Sequence, residues 1–282
     1  MLLTNTYITN WITEYMAQPE HNTMVQLPGR AFDVPLVGFS RGDDPLYAFY
    51  KDHIDPDFYL LPEQWLEMTF GRSFDPAKIS VISWALPQTP ENRAKSRETT
   101  DCPPLEWQMV RVHGEECNRA LADALVAHLK ELGVEAVAPI TSSRFSWGES
   151  ERFLKISNWS ERHTAYISGL GTFGLCDGLI SKKGKAARYG SVIAAAKLEP
   201  TQRTYTSYNE YCLAAEGCTA CIRRCPAGAI TAQGHDKAKC IAYHKEHITP
   251  ICHDRYGYDG YAVCGLCQTG VPCEFAPPEK KR

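Results

Sequence analysis

Cysteines dominate the chemistry that this sequence can perform. Of the twelve in the 282-residue chain, three lie in residues 1–211 and nine in residues 212–282. Eight of those nine form two groups with short spacings: Cys212, Cys218, Cys221, Cys225, Cys240, Cys264, Cys267 and Cys273. Thiolates two or three residues apart can wrap around one metal centre, and Pro226 turns the chain away directly after Cys225. The pattern predicts a metal-binding module, because clustered thiols in a chain without an export signal usually bind metal.

The spacing is typical of two [4Fe-4S] clusters. Bacterial two-cluster ferredoxins carry C-x2-C-x2-C-x3-C-P, in which three cysteines hold one cluster and the fourth reaches the other. The present chain has that pattern with one loop lengthened in each half. The crossing predicts one cluster on Cys212, Cys218, Cys221 and Cys273, and a second on Cys225, Cys240, Cys264 and Cys267. Cys252 has no partner at such a spacing, and we expect it to bind no metal.

A pair of four-cysteine zinc sites is the structural alternative, because C-x2-C pairs also bind zinc. Zinc ribbons pair two C-x2-C units across a hairpin, whereas here an x3-C-P arm leads into Ala-Gly-Ala-Ile. That arm favours clusters and therefore an electron-transfer or reductive protein.

A glycine loop, Gly169-Leu170-Gly171-Thr172-Phe173-Gly174, matches G-x-G-x-x-G. In a dinucleotide-binding unit this loop follows a strand, opens a helix and is followed by an acidic ribose ligand about 20 residues later. Here it follows a predicted helix at Ser160–Ser168, and no acidic residue stands near position 194. The context disfavours a dinucleotide site and leaves a simple helix stop as the alternative to a ligand role.

The first 200 residues alternate between helical and strand patterns. A helix is predicted to open the chain, because apolar residues from Ile8 to Met16 fall at helical spacing after Thr4 and Asn5, either of which could cap it. Further helices are predicted over His113–Gly133 and Ser160–Ser168, and strands near Pro35–Phe39 and over Ile79–Leu86, Val134–Ile140 and Gly190–Lys197. The segment Gln88–Pro104 reads as a polar linker. The pattern predicts an α/β or mixed α+β domain over residues 1–204, followed by a cluster domain over residues 205–282.

Composition limits the partners. The formal net charge of −3 lacks the basic excess of a nucleic-acid binder, so we expect no nucleic-acid partner. The first residues show no basic region and no twin arginine, and no run of about 18 apolar residues occurs, so we expect a soluble, cytoplasmic protein without a membrane partner.

The order of these motifs resembles the epoxyqueuosine reductase and reductive dehalogenase superfamily. The resemblance rests on Glu161-Arg162, on the glycine loop after a helix, on Gly178-Leu179-Ile180-Ser181, on Gly190-Ser191-Val192 and on the Cys-x3-Cys-Pro module. It implies a nitroreductase-like α/β sandwich that holds cobalamin, with a ferredoxin-like domain that passes electrons to it. A flavodoxin or ferredoxin would be the external electron donor and a small molecule the substrate.

The resemblance also indicates site residues. The expected corrinoid contacts are Gly169, Gly171, Gly174 and Ser191. A glycine backbone without side chains can approach a flat macrocycle, and the strand at Ser191 would lie beside the glycine loop. The expected proton donors are Lys155, His163 and Tyr166, with Arg162 as a further candidate. Each also has an ordinary structural interpretation, as a solvated charge or a packed helix residue.

One departure bears on the substrate. Epoxyqueuosine reductases carry an aspartate, the proposed proton donor, at the position where this chain has Lys155. Epoxyqueuosine is therefore a doubtful substrate, and a divergent branch is predicted. Two alternatives stay open: a non-enzymatic electron carrier, and a reductase that activates a corrinoid on a partner protein.

Overall fold

The computed structural model describes residues 3–24 and 27–279. The outermost residues of the two predicted domains, 1–2 and 280–282, lie outside this range. Within it, none of the helices is both long and apolar enough to cross a membrane.

A four-stranded sheet forms the centre of the first part of the chain. Its order is β3-β4-β10-β5, and every neighbouring pair is antiparallel. Three two-stranded sheets, β1-β2, β6-β7 and β8-β9, surround it. The strands are β1 (Thr23–Met24), β2 (Leu27–Arg30), β3 (Leu36–Arg41), β4 (Ser80–Pro87), β5 (Ala136–Val137), β6 (Trp147–Ser150), β7 (Leu154–Ser157), β8 (Gly171–Phe173), β9 (Leu179–Ser181) and β10 (Ala187–Ala194).

Helices cover both faces of this sheet. All eight residues of β4 are buried, and their side chains alternate between two apolar cores. One core contains Ile82, Trp84 and Leu86, which pack with the helices α1 (Asn5–Ala17) and α5 (Leu105–Glu131). The other core contains Val81, Ala85 and Trp159. The helices are α1 (Asn5–Ala17), α2 (Pro45–Ile54), α3 (Pro62–Phe70), α4 (Pro90–Arg97), α5 (Leu105–Glu131) and α6 (Glu161–Ile167).

The cysteine-rich part contains only short elements. They are α7 (Ala220–Arg223), the hairpin β11 (Ile230–Thr231) and β12 (Gly234–His235), α8 (Lys237–Tyr243) and α9 (Thr249–Tyr256), with a π-helical turn over His244–Ile248 between the last two. Long loops carry most of its cysteines.

The predicted mixture of α and β structure is confirmed, and the sheets are small. The predicted first helix, the strands near Pro35–Phe39 and Ile79–Leu86, and the helix at Ser160–Ser168 all occur within a few residues of their expected bounds. The strand predicted over Gly190–Lys197 lies three residues earlier, at Ala187–Ala194.

Three segments differ from the prediction. The expected polar linker contains α4, whose N-terminus is capped by Thr89 with Pro90 in the first turn. Helix α5 begins at Leu105 rather than His113, directly after Pro104. The strand expected over Val134–Ile140 shrinks to two residues, because Pro139 starts a 3-10 turn.

Candidate functional site

A cleft of about 2080 Å³ lies between the first part of the chain and the cysteine-rich part. This volume exceeds the roughly 300–1,000 Å³ of a usual small-molecule pocket, so the cleft has room for a large ligand. Its charged lining is mainly basic, with eight cations against five carboxyl groups, although the whole chain is slightly acidic. The cations are Arg111, Arg119, Arg152, Lys155, Arg162, Lys185, Arg188 and Lys237.

Helix α6 brings two predicted proton donors to the cleft wall. His163 and Tyr166 both line it and pack around the ring of Tyr50, whose centroid lies 4.3 Å from His163 and 6.5 Å from Tyr166. Burial lowers the pKa of His163 to about 3, so its imidazole is neutral at neutral pH. Its Nδ1 lies 2.7 Å from the Ser160 hydroxyl. Burial also raises the pKa of Tyr166.

The other two candidates sit at more exposed positions of the cleft. Lys155 lies on β7 and forms an ion pair with Glu149 on the facing strand β6. Arg162 donates to the backbone carbonyl of Asp177 at 2.6 Å. All four predicted donors therefore line the same cleft, which places them within reach of one ligand without deciding among them.

The expected corrinoid contacts are divided between the cleft wall and the packed interior. Gly174 lines the cleft, whereas Gly169, Gly171 and Ser191 are not among its lining residues. A Cβ atom on Gly171 would lie 2.1 Å from the carbonyl oxygen of Ile180, so close pairing of β8 with β9 already requires a glycine there. The ligand role of these residues remains a prediction.

Ser191 is fully buried on β10 and belongs to a hydrogen-bonded chain that leads to Glu161. Trp159 Nε1 donates to Ser191 Oγ at 3.0 Å, and Ser191 Oγ donates to Glu161 Oε2 at 2.6 Å. Glu161 lines the cleft, and its Oε1 atom is buried without a hydrogen-bond partner. Burial raises the pKa of Glu161 to about 8. Its place in the Glu-Arg motif was the only sequence signal for this residue.

One group of cysteines surrounds a buried lysine. Lys185 is 2% exposed, and its Nζ lies 3.2 Å from Sγ of Cys176. Cys176 and Cys221 lie in one buried cluster, and Cys267 and Cys273 pack against it. Cys218 and Cys225 pack against the same apolar cluster. No spacing pattern indicated Cys176, which lies 36 residues before the first predicted ligand.

A second group forms around His244. Its Nε2 accepts a hydrogen bond from the backbone N–H of Cys264 at 3.2 Å and lies 3.6 Å from Sγ of Cys240. Burial alone would raise the pKa of Cys240, but the neighbouring imidazoles of His235 and His244 lower it to about 6. Cys225 accepts a backbone hydrogen bond from Ala229 at 3.3 Å.

Cys267 and Cys252 lie beside cysteines that the ligand pattern does not predict. Cys267, assigned to the second cluster by the crossing pattern, packs against the group that contains Cys176 and Cys221. Cys252 packs against Cys102, with their sulfur atoms 3.3 Å apart and both side chains fully buried. The partition of ligands between two clusters stays a prediction.

No group of three or more His, Cys, Asp or Glu side chains in residues 3–24 and 27–279 has the arrangement of a closed metal site. The donor chemistry nevertheless fits iron–sulfur clusters. A buried ammonium needs an anionic partner, and the groups whose charge acts most on Lys185 are the thiols of Cys176, Cys273, Cys267 and Cys221. Its neighbours are sulfur atoms, which are anionic as cluster ligands.

Comparisons of the sequence with known proteins gave no match: no protein-family model and no curated protein is similar to it. Comparison of structures did find relatives. A catabolic reductive dehalogenase superimposes with a TM-score of 0.53 at 15% identity, covering 86% of this chain and 30% of that chain. An epoxyqueuosine reductase bound to a tRNA-Tyr stem loop superimposes with a TM-score of 0.51 at 15% identity, covering 95% and 66%. The epoxyqueuosine reductase of Streptococcus thermophilus gives 0.50 at 14% identity, covering 98% and 69%.

The present chain thus spans about two thirds of the reductases and less than a third of the dehalogenase. At these identities the likeness concerns the fold alone, and the low identity agrees with the divergence that the sequence predicts. The chain has the fold shared by reductive dehalogenases and epoxyqueuosine reductases, as its glycine loop and cysteine spacing predict.

Proposed function

We propose that the protein is an iron–sulfur reductase in which two [4Fe-4S] clusters deliver electrons to cobalamin in the cleft, where a small-molecule substrate is reduced. Residues 1–204 would form the nitroreductase-like cobalamin and substrate domain, and residues 205–282 the ferredoxin-like domain. The observation that carries the proposal is the junction between the cleft and the cysteines. Cys212, Cys218 and Lys185 line the cleft, so one group of sulfur ligands adjoins it directly.

No predicted ligand of the second cluster lines the cleft. Cys225, Cys240 and Cys264 are not among its lining residues. Electrons from an external flavodoxin or ferredoxin would therefore enter at the second cluster and reach the cleft through the first. The second cluster would thus relay electrons from the external donor to the first cluster, which adjoins the cleft.

The cleft suits cobalamin by size and by lining. Its volume leaves room for a macrocycle together with a small substrate, and its walls carry aromatic side chains such as Phe153, Phe173 and Tyr208. One of the similar dehalogenase structures is described as B12-dependent. When bound, cobalamin supplies a cobalt centre that takes up electrons singly and makes them available for reduction.

The chain's own residues would then orient the substrate and provide protons. His163, held neutral by burial, can position a polar group of the substrate through its free ring nitrogen. The basic lining favours an anionic substrate or an anionic arm of the cofactor. With Lys155 at the position of the aspartate of epoxyqueuosine reductases, we expect a substrate other than epoxyqueuosine.

Anaerobic reconstitution followed by addition of cob(II)alamin tests the proposal. We expect about eight iron and eight acid-labile sulfide per chain, since eight thiolates complete two cubanes. Bound cob(II)alamin should lose its lower axial base, visible as a shift of its absorbance and paramagnetic spectra, and reduction of the clusters should then convert it to Co(I).

The outcomes separate the parts of the proposal. Stoichiometric zinc without sulfide would contradict the clusters. Two clusters with no spectral change at high cobalamin would defeat the corrinoid and leave an electron carrier. A cluster-deficient Cys221→Ser variant is the matched control, because it should leave added cobalamin unreduced.

A further inference from the structure

A group of arginines lines the cleft where α5 and α6 pack against β10. Arg111, Glu115 and Arg119 are spaced four residues apart, which places them on one face of α5. Arg188 on β10 and Arg162 on α6 complete this set, which we call the arginine group. The side chain of Arg119 is 45% exposed and that of Arg188 is 33% exposed, so a ligand in the cleft can reach them.

Two contacts hold the guanidinium of Arg188 in place. Its Nη2 donates to the backbone carbonyl of Arg111 at 2.8 Å, and its Nη1 lies 3.6 Å from Oε2 of Glu115. A guanidinium has five N–H donors in a rigid fork, so these contacts occupy only a minority of them. Arg188 therefore has positioned donors available at the cleft wall.

Glu115 shows which kind of partner the arginine group attracts. Its two carboxyl oxygens face two different guanidinium groups: Oε1 lies 3.3 Å from Nε of Arg119, and Oε2 faces Arg188. Carboxylate and phosphate oxygens match the guanidinium fork in the same way. The chain thus places one oxyanion of its own among these arginines.

The other two arginines have uncharged partners. Arg162 donates to the backbone carbonyl of Asp177 at 2.6 Å, and the Arg111 guanidinium lies over the ring of Tyr261, 5.6 Å from its centroid. In the part of the chain that the structure describes, the ion pairs of the four arginines therefore involve a single carboxylate. Positive charge is in excess at this wall of the cleft.

The excess charges also act on one another. Burial lowers the pKa of Arg188, Glu115 opposes this effect, and the charges of Arg111 and Arg162 lower the pKa further. Like charges held together at a cleft wall repel, and a bound anion relieves that repulsion. The neighbouring Glu161 does not supply this anion, because it is buried and hydrogen-bonded inside the sheet.

We infer that the arginine group is a binding subsite for an oxyanion, a phosphate or carboxylate group of the ligand that enters the cleft. Arg111 and Arg188 would hold its oxygens through charge-assisted hydrogen bonds, and Arg162 would add positive charge. Arg162 is followed on α6 by His163, so the subsite adjoins the helix that carries the predicted proton donors. The inference deepens the proposed function and rests on it for which molecule carries the anion, whereas the subsite itself does not require cobalamin.

Inorganic phosphate tests the inference without a known substrate. Calorimetric titration of the cluster-loaded full chain at constant ionic strength should show saturable phosphate binding. Arg111→Gln and Arg188→Gln should each weaken it at least about tenfold, because each removes a charge-assisted hydrogen bond. Arg72→Gln is the matched control, since Arg72 pairs with Glu135 at the surface outside the cleft, and its loss should leave the affinity unchanged.

Glu115→Gln should change the affinity in the opposite direction. Loss of this carboxylate frees Arg119 and Arg188 and removes a like charge beside the phosphate, so binding should strengthen about threefold. A variant that only damaged the fold would not bind phosphate more tightly. The inference is wrong if the wild type shows no saturable binding, if the Arg111 and Arg188 variants keep both their iron and the wild-type affinity, or if Glu115→Gln binds more weakly.

Cob(II)alamin and cob(II)inamide identify the molecule that carries the anion, because only the former has a phosphodiester in a nucleotide loop. Displacement of phosphate by cob(II)alamin but not by cob(II)inamide would support a subsite for the cofactor. Phosphate that still binds when cob(II)alamin shows its spectral shift would support a subsite for the substrate. If phosphate binds as expected but cobalamin gives no spectral change, the subsite stands and the corrinoid part of the proposed function fails.

Discussion

The ammonium of Lys185 lies 3.2 Å from the sulfur of Cys176, and both side chains are buried. Among the described residues, the neighbours of this ammonium are thiols contributed by the chain before and within the cysteine-rich part. Lys185 also lines the cleft. A fixed positive charge therefore lies beside the first group of cysteines at the wall of the cleft.

We predict that Lys185→Met lowers the reduction potential of the cluster nearest the cleft. A positive charge stabilises the reduced, more negative cluster, so its removal has the opposite effect. A unit charge about 6 Å away contributes about 3 kcal/mol at an effective dielectric constant of about 20, or roughly 120 mV for a one-electron couple. A spectroelectrochemical titration measures this shift.

Lys183→Met is the matched control for that titration. Lys183 lies two residues away, donates to the carbonyl of Val34 and sits 3.6 Å from Asp33 near the surface. Its loss should leave the potential unchanged. Equal potentials in the Lys185 variant and the wild type would show that the ammonium does not face a cluster.

The crossed ligand pattern predicts opposite effects for two cysteine variants. Cys225→Ser should damage the cluster held by Cys240, Cys264 and Cys267, and Cys273→Ser should damage the one held by Cys212, Cys218 and Cys221. Paramagnetic resonance of the reduced protein distinguishes the two clusters. Cys267 packs against the group that contains Cys176 and Cys221, which makes this partition worth testing. Damage to the cluster of the sequence neighbours instead would show an uncrossed arrangement.

Cys102 and Cys252 provide a contrast within one buried cluster. Both are fully buried beside Cys264, and their sulfur atoms are 3.3 Å apart. We predict that Cys252→Ser keeps about eight iron per chain, whereas Cys264→Ser loses about half of them, because only Cys264 belongs to the ligand pattern. Loss of iron from the Cys252 variant in iron and sulfide analysis would make that residue a ligand.

Sequence reasoning succeeded where one local rule decides the outcome. The short apolar, β-branched run Ile79–Leu86 identifies a buried strand, and the glycine stop after Ser168 ends α6. It failed where distant segments decide. Nothing local to Cys176 or Cys102 shows that the fold places each beside cysteines from the last quarter of the chain.

The candidate site shows the same division. The motif around α6 led to the cleft residues His163 and Tyr166, because helical spacing keeps them on neighbouring faces. The raised pKa of Glu161 was not predicted, since burial causes it, and the hydrogen bond from Ser191, 30 residues away on β10, offsets only part of that rise. Desolvation is a property of the assembled core, which no spacing rule records.

His163 makes stability depend on pH in a defined direction. Burial lowers its pKa from 6.5 to about 3, so the folded state binds fewer protons than the unfolded state between these values. Its contribution is complete above pH 6.5 and is lost as the pH falls, by about 1.4 kcal/mol per pH unit at most. The Tm of the wild type should fall from pH 6.5 toward pH 5 more steeply than that of His163→Gln.

The exposed His253 supplies the comparison for that experiment. Its side chain is 62% accessible, so His253→Gln should retain the slope of the wild type. Parallel curves for the wild type and His163→Gln would mean that the imidazole is not desolvated in the folded protein.

Trp147 offers the most direct mutational probe of the cleft. It lies on β6 at the cleft wall, yet it is 70% exposed, which is unusual for so large an apolar side chain. A bound macrocycle would cover it, and burying an aromatic side chain of this kind contributes about 1.5–3 kcal/mol. We therefore predict that Trp147→Ala weakens cob(II)alamin binding at least about tenfold, measured by spectral titration of the cluster-loaded protein.

Exposure is also what makes this variant informative, because removing a side chain that packs little in the free protein leaves the fold and the iron content intact. Phe70→Ala is the control, since Phe70 is 37% exposed and lies outside the cleft. A bulky substitution at Gly171 is a poorer probe, because its Cβ would collide with the backbone of Ile180 and disturb the β8–β9 hairpin. Binding by the Trp147 variant with wild-type affinity would place the macrocycle away from the β6–β7 hairpin. Weakened binding by the Phe70 variant would point to a general loss of structure.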